Sequence, residues 1–269
     1  MPPTKGEPDR SRAGDPIETR IQAGVLRLTL NRPGKRNALD QRTVRALAVA
    51  LSEAAMDEDV RVVVLRGAGS DFCAGADLRA MAGVAEEGDP VTNLRDAQEL
   101  GELLVLMRRH PKPIVAAVHG HALAGGAGLA TACDLVLARA DAIFGYPEVH
   151  LGFVPAMVMA LLRRTVGEKV AFELVTRGDR IGAEEAASLG LVNRVIPEAE
   201  WDRGVDDYAG ELAVRSASAV TLIKRLLYGM DGLSFEEAIA RGAEVNALAR
   251  LSPDTREGVR RFLEKHQDR

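Results

Sequence analysis

The chain has 269 residues, a net charge of −4, and 46% hydrophobic against 28% charged residues, the balance of a globular body large enough for one sizeable core. A pI near 5.8 argues against a nucleic-acid-binding face, which needs concentrated basic charge. The two cysteines, Cys73 and Cys133, have no CxxC partner and no histidine at zinc spacing, which speaks against a metal or disulfide framework and fits a reducing compartment.

In chain order, residues 1–15 are polar and rich in Pro, Gly and charge, predicting a disordered extension. The N-terminus lacks an apolar h-region and no run approaches the ~18 residues of a membrane helix, so a cytoplasmic protein with no membrane partner is expected. Val25–Leu30 alternates as a strand with Leu26, Leu28 and Leu30 on one face, and Asn31-Arg32-Pro33-Gly34 breaks it. Lys35, Arg36, Asn37 and Ala38 form a loop before Asp40, the expected N-cap of a helix carrying Val44, Leu47, Ala48 and Leu51 at helical spacing. Two cations there suit either bound phosphate or a solvated basic loop.

Val62–Leu65 reads as a buried β-branched strand that turns out through Gly67-Ala68-Gly69-Ser70 into the small residues of Phe72–Leu78. Residues 82–95 are predicted to form a mobile loop of the kind that borders a site. Helical spacing resumes from Asp96 to Arg109 through Leu100, Leu103, Leu104 and Met107. Ile114–Val118, led by Pro111 and Pro113, is a second buried strand. A helix follows, starting at Ala124-Gly125-Gly126, where unpartnered N–H groups and a positive dipole end favour negative charge. Glycines at that point serve either close approach of a ligand or tight packing, and the stretch alone leaves both open. Two strand-then-small-residue turns, through Phe72–Leu78 and at Gly125, give amide donors from separate segments, and an oxyanion hole needs donors converging from different segments.

Asp134–Ala138 is a further buried strand, and Phe144–Glu148 reads as a loop. Glu148 lies among Tyr146, Val149, Leu151 and Phe153, surroundings that suit a carboxyl to acid–base work if it is buried. A solvated loop glutamate is the alternative. Pro155 opens a helix ended by Gly167, Lys169–Arg177 forms another ended by Gly178, and Leu191–Ile196 is the last strand. Beyond Pro197 the pattern is helical, with Ser234 and Glu237 placed as a capping box. The expected class is α/β, with a core over 16–199 and a helical unit over 200–269.

Four motifs in order, LNRPGKRNALD at 30–40, DFCAGADL at 71–78, AAVHGHALAGGAGLATACDL at 116–135 and FGYPEVHLGFVP at 144–155, resemble the enoyl-CoA hydratase/isomerase, or crotonase, superfamily from about Pro16 to the C-terminus. The resemblance implies a spiral of ββα units forming two roughly perpendicular sheets, with a helical C-terminal region that makes a homotrimer or a hexamer of two trimers. The amides of Ala76 and Gly125 match the oxyanion pair that holds the thioester oxygen of an acyl-CoA substrate. Lys35, Arg36, Ala38, Ala74, Asp77 and Leu78 match positions lining the coenzyme A groove. Phe262 and Lys265 in REGVRRFLEK, 256–265, match residues that reach the nucleotide held by a neighbouring subunit, although packing explains Phe262 equally well.

Glu148 matches the second catalytic glutamate of the straight-chain hydratases, whereas the first would fall where this chain has Gly128. Three readings follow. One is a one-glutamate hydratase, resembling a branch that includes methylglutaconyl-CoA hydratases. Another is a Δ3,Δ2-enoyl-CoA isomerase, whose single glutamate shuttles a proton, and the third is a protein that binds acyl-CoA without turnover. Asp96, Glu99, His119, His121 and His150 are the other titratable groups weighed for the missing acid, with packing or solvation the default for each. Coenzyme A enters as part of the substrate, and no metal or redox cofactor is expected.

Overall fold

The computed structural model describes residues 14–77 and 89–267, so the 1–13 part of the expected extension, Leu78 and residues 82–88 of the expected loop lie outside the described residues. The strands are β1 (Ile17–Gln22), β2 (Val25–Leu30), β3 (Val62–Gly67), β4 (Ile114–Val118), β5 (His121–Leu123), β6 (Leu135–Arg139), β7 (Ile143–Gly145), β8 (Arg180–Gly182) and β9 (Arg194–Ile196). They form a six-stranded sheet in the order β1-β2-β3-β4-β6-β9 and a three-stranded sheet in the order β5-β7-β8. Only β1 pairs antiparallel in the larger sheet, through a hairpin whose Ala23 and Gly24 both have positive φ, the conformation that matches the twist of the flanking strands. The remaining pairs of that sheet are parallel.

Parallel strands are covered on both faces, which is why β3 and β4 read as unbroken apolar runs. Leu26, Leu28, Leu30, Val63, Leu65, Ile114, Ala116 and Val118 pack in the main core against α1 (Gln41–Met56) and α2 (Pro90–Arg109). Val25, Val62, Val64, Val115, Ala117 and Leu137 point the other way, where Trp201, Val205, Ala209 and Ala213 cover them. Those four lie at i, i+4, i+8 and i+12 of the helix Trp201–Ala213, a stripe that faces one way on an α-helix. The helix just past residue 200 therefore completes the sheet's second face.

Asp40 caps α1 as expected, its side chain accepting the Thr43 N–H. The expected loop over 82–95 differs in its second half, because residues 90–95 are already helical. Asp89 accepts N–H bonds from Val91 and Thr92, and Pro90 occupies the first helical position, a start signal masked by the polar, exposed face of that first turn. The expected Phe144–Glu148 loop is likewise structured. Phe144 and Gly145 belong to β7, and Glu148 sits on a 3-10 turn, Pro147–Leu151.

Three further helices, Ala217–Gly229, Phe235–Leu251 and Pro253–Gln267, end the chain, and the Ser234/Glu237 capping box is formed at the second. The first is clamped to the body by buried Lys224. Its Nζ donates to the Met107 and Lys112 carbonyls and to Asp134 at 2.7 Å, while Tyr228 donates to the same carboxylate. Burial lowers the lysine pKa, and Asp134 offsets that cost. Among the described residues no helix is long and apolar enough to cross a membrane.

Candidate active site

The turn at Ala76 is drawn out as a single parallel bridge to Leu39. Leu39 donates to the Gly75 carbonyl at 2.7 Å and accepts from the Asp77 N–H at 2.8 Å. Because successive amides of extended chain alternate sides, the Ala76 N–H faces away from Leu39, and it has no acceptor among the described residues. On that other side lies the head of α3 (Gly125–Ala132). A Cβ placed on Gly125 would stand 3.8 Å from the Ala76 nitrogen, and one on Gly75 would stand 2.8 Å from the Ala124 Cβ and 3.4 Å from the Gly125 nitrogen. A Cβ on Gly126 would overlap the Cys73 carbonyl oxygen. Glycine at 75 and 126 is what allows the two turns to meet, and the structure brings Ala76 and Gly125 together.

Ala124, which precedes that helix, has φ 49° and ψ −124°, a conformation costing on the order of 1–3 kcal/mol for a residue with a Cβ. It is held by its N–H bond to the Gly145 carbonyl at 2.8 Å and by its own carbonyl, which accepts the Gly128 N–H. Leu123 and Gly145 are also partners in the β5–β7 ladder, so the strand leading to Glu148 is tied to the turn that opens α3. Three residues later, the Pro147–Leu151 turn directs Glu148 inward until the residue is only 8% exposed. Its Oε2 has no hydrogen-bond partner among the described residues, and burial pushes the carboxyl above the usual glutamate range. The turn is anchored by His150, whose Nε2 lies 3.0 Å from the Arg177 carbonyl. That bond gives the His150 ring a partner on the turn's outer side.

Two neighbouring backbone amides and a buried carboxyl carried three residues beyond the strand tied to their turn are the groups needed to stabilise an enolate and move a proton. The enoyl-CoA hydratase/isomerase family model matches residues 20–269. The chain belongs to this family. Similarity extends over most of the chain. A Thermus thermophilus protein assigned to the enoyl-CoA hydratases is 42% identical over 240 residues, 89% of this chain and 94% of its own. The Escherichia coli 2,3-dehydroadipyl-CoA hydratase is 36% identical over 91% of this chain and 94% of its own. The crystal structure of a Mycobacterium smegmatis enoyl-CoA hydratase superposes with a TM-score of 0.89 at 34% identity, covering 93% of this chain and 96% of that one. The two sheets and trailing helices are thus the crotonase fold.

In this hydratase-family chain, the position of the missing first glutamate has a physical occupant. A Cβ on Gly128 would overlap Val158 Cγ2 and lie 3.2 Å from its Cγ1. Val158 comes from α4 (Ala156–Val166) and is itself buried, so the side-chain space beside residue 128 is already filled. Glu99, His119 and His121 each have a partner elsewhere. Glu99 is ion-paired with Arg45 at 2.6 Å. His119 packs against Trp201 with ring centroids 6.5 Å apart and bonds the Gly69 carbonyl. His121 Nδ1 lies 2.6 Å from Asp71. Both cysteines are buried, the Cys73 thiol being pushed up to about 12 by burial, which makes them packing residues.

Of the positions expected to line a coenzyme A groove, Lys35, Arg36, Ala38, Ala74 and Asp77 gather around the Pro33–Lys35 turn. Lys35 Nζ lies 3.0 Å from Asp77, Ala38 is buried, and the Ala74 N–H donates to the Arg36 carbonyl. Phe262 and Lys265 are exposed on the last helix, Phe262 by 62%. The residue that organises the loop, missed in the sequence, is Asp71. It accepts from Arg36 Nε and Nη2, from Ser70 Oγ, and from the His121 backbone N–H. Burial opposes its charge, but the bonds from Arg36, Ser70 and His121 hold the carboxyl well below the usual aspartate range. Arg36 and Asn37 both have positive φ, and buried Asn37 ties the loop to the Ala68 and Asp71 carbonyls. The only sequence signal was that Asp71 begins a matching motif. Asp71→Asn is expected to release Arg36 and raise KM for acyl-CoA several-fold with little change in kcat, which steady-state kinetics will read directly.

Proposed function

We propose that this chain hydrates the double bond of a 2-enoyl-CoA thioester, using Glu148 as its one carboxylate. The observation that carries the reading is the buried, unpartnered Glu148 Oε2 tied through β7 to the paired amides of Ala76 and Gly125. The thioester oxygen would accept both N–H bonds, which hold the enolate charge. Glu148 orients a water onto the β-carbon, takes its proton as the C–O bond forms, and returns that proton to the α-carbon. No metal or redox group takes part in these steps.

Gly128 and Val158 favour a second reading, Δ3,Δ2-isomerisation, because one carboxylate suffices to carry a proton from C4 to C2 through the same enolate. The substrate proposed is 3-methylglutaconyl-CoA or a similar thioester. The carboxyl-bearing acyl group named for the Escherichia coli relative supports that class. Exposed Ile223, Leu227, Phe235, Ile239, Leu248 and Leu251 on the C-terminal helices support a homotrimer or hexamer, in which Phe262 and Lys265 would reach a neighbour's nucleotide.

Turnover of crotonyl-CoA, 3-methylglutaconyl-CoA and 3-hexenoyl-CoA decides among these. Loss of the conjugated enoyl absorbance with either of the first two is the expected result. Its appearance with the third alone makes the protein an isomerase, and silence with all three sinks both readings.

A further inference from the structure

Away from Glu148, a groove of about 800 Å³ runs between α2 and α4. A Cβ on Gly101 would sit 3.7 Å from Met157 Cγ, and seven residues further along each helix Arg108 and Arg164 meet at one carboxylate. The helices therefore run side by side in the same direction for about 10 Å beyond that contact. The groove's walls are mostly apolar, with Leu94, Ala97, Val105 and Leu161 among them. At its far end Arg108 Nη2 lies 2.7 Å and Arg164 Nε 3.2 Å from the same Oδ2 of Asp231. Arg108 also stacks 4.0 Å from the Tyr228 ring centre, and Arg164 Nη1 donates to the Ala160 carbonyl. Two forked cations thus share one carboxylate oxygen, and both line the groove. Among the described residues, the other charge on its wall is Glu102, six residues before Arg108 on the same helix.

The near end is at Met157, on the side of α4 that packs toward α3. Met157 adjoins Val158, whose methyls fill the space at Gly128, one turn into the helix that Gly125 heads. We propose that this groove takes the distal part of the acyl chain and that Arg108 and Arg164 bind a carboxylate at its end, so that the substrate is an ω-carboxyacyl thioester. An apolar channel ending in paired guanidiniums is complementary to that chemistry, since arginine forks match a carboxylate with two charge-assisted bonds. Asp231 holds the pair in the meantime and competes with the incoming group. The inference rests on the acyl-CoA reading above and adds to it the site that would hold the distal carboxylate.

The test is equilibrium binding of saturated thioesters, which need no turnover. Adipyl-, suberyl- and sebacyl-CoA are compared by calorimetry with hexanoyl-, octanoyl- and decanoyl-CoA. In at least one pair the carboxylated ligand is expected to bind about tenfold tighter, the scale of one or two charge-assisted bonds. Arg164→Gln should abolish that preference and Asp231→Asn should enlarge it. These opposite signs separate a ligand site from a structural ion pair, whose loss from either side would only lower the melting temperature. Equal affinities in all three pairs would overturn the proposal, as would a preference that survives in Arg164→Gln. A change of subunit number in Arg164→Gln, without any carboxylate preference in the parent protein, would assign the groove to a subunit contact instead. Hydration of 2-octenoyl-CoA, measured separately, reports on the activity itself, so failure of the groove and failure of the hydratase reading are told apart.

Discussion

Glu148→Gln is expected to lower kcat by roughly 10²- to 10⁴-fold, the usual contribution of a positioned acid–base group, while acyl-CoA still binds. Glutamine keeps the shape of the side chain and removes only the ability to take and return a proton. With the space beside Gly128 filled by Val158, no second carboxylate stands there to share the loss. The acid limb of the parent enzyme's pH–rate profile is expected to inflect above the ordinary glutamate range, because burial raises this carboxyl and the ionised form acts as base. Stability carries the same signature with a defined sign. A carboxyl whose folded pKa is raised binds protons more tightly when folded, so stability falls as pH rises from the unfolded to the folded value, and the cost is complete above it. Glu148→Gln removes that cost and should melt no lower than the parent at neutral pH. Near-parental turnover would remove Glu148 from the mechanism. A large drop in melting temperature would make it a structural residue.

What was legible in the sequence was local. β3 and β4 announced themselves as β-branched apolar runs because both faces of a parallel sheet are buried, and Asp40 declared its helix because a cap is a one-turn interaction. The convergence of Ala76 and Gly125 was legible through resemblance, and the structure supplies its reason in the bare backbones of Gly75 and Gly126. Strands β5, β7 and β8 have three residues each, too few for a period-two pattern to show. Glu148 therefore read as part of a loop, although its burial comes from a 3-10 turn fixed by β7 on one side and by the His150–Arg177 bond on the other. Asp71 and Val158 were illegible for a different reason. Each acts on residues 30 or more positions away, Asp71 on Arg36 and His121, Val158 on Gly128. Contacts across such separations leave no trace in local spacing.

Gly125→Pro should cost about 10²- to 10³-fold in kcat, the measured scale for loss of one oxyanion donor. The change is selective because residue 125 is the first helical position, where proline's fixed φ is tolerated and its missing N–H belongs to no intrahelical bond. Space is available too, since the nearest atoms to an added Cβ, Leu39 Cδ1 at 3.7 Å and the Ala76 nitrogen at 3.8 Å, are at ordinary contact distance. The one strained neighbour is Ala124, which precedes the new proline and is held at positive φ by its bond to Gly145. Gly125→Ala serves as the comparison, because it adds the same Cβ and keeps the N–H. A fall much deeper in the proline variant than in the alanine variant isolates the donor from the bulk. The second readout is the carbonyl stretch of a bound, unreactive thioester, which two donors should lower in frequency and one donor should lower less. Folded Gly125→Pro protein with undiminished kcat and an unchanged carbonyl stretch would show that the thioester oxygen lies elsewhere. The buried Glu148 would then need a different partner for the charge it creates.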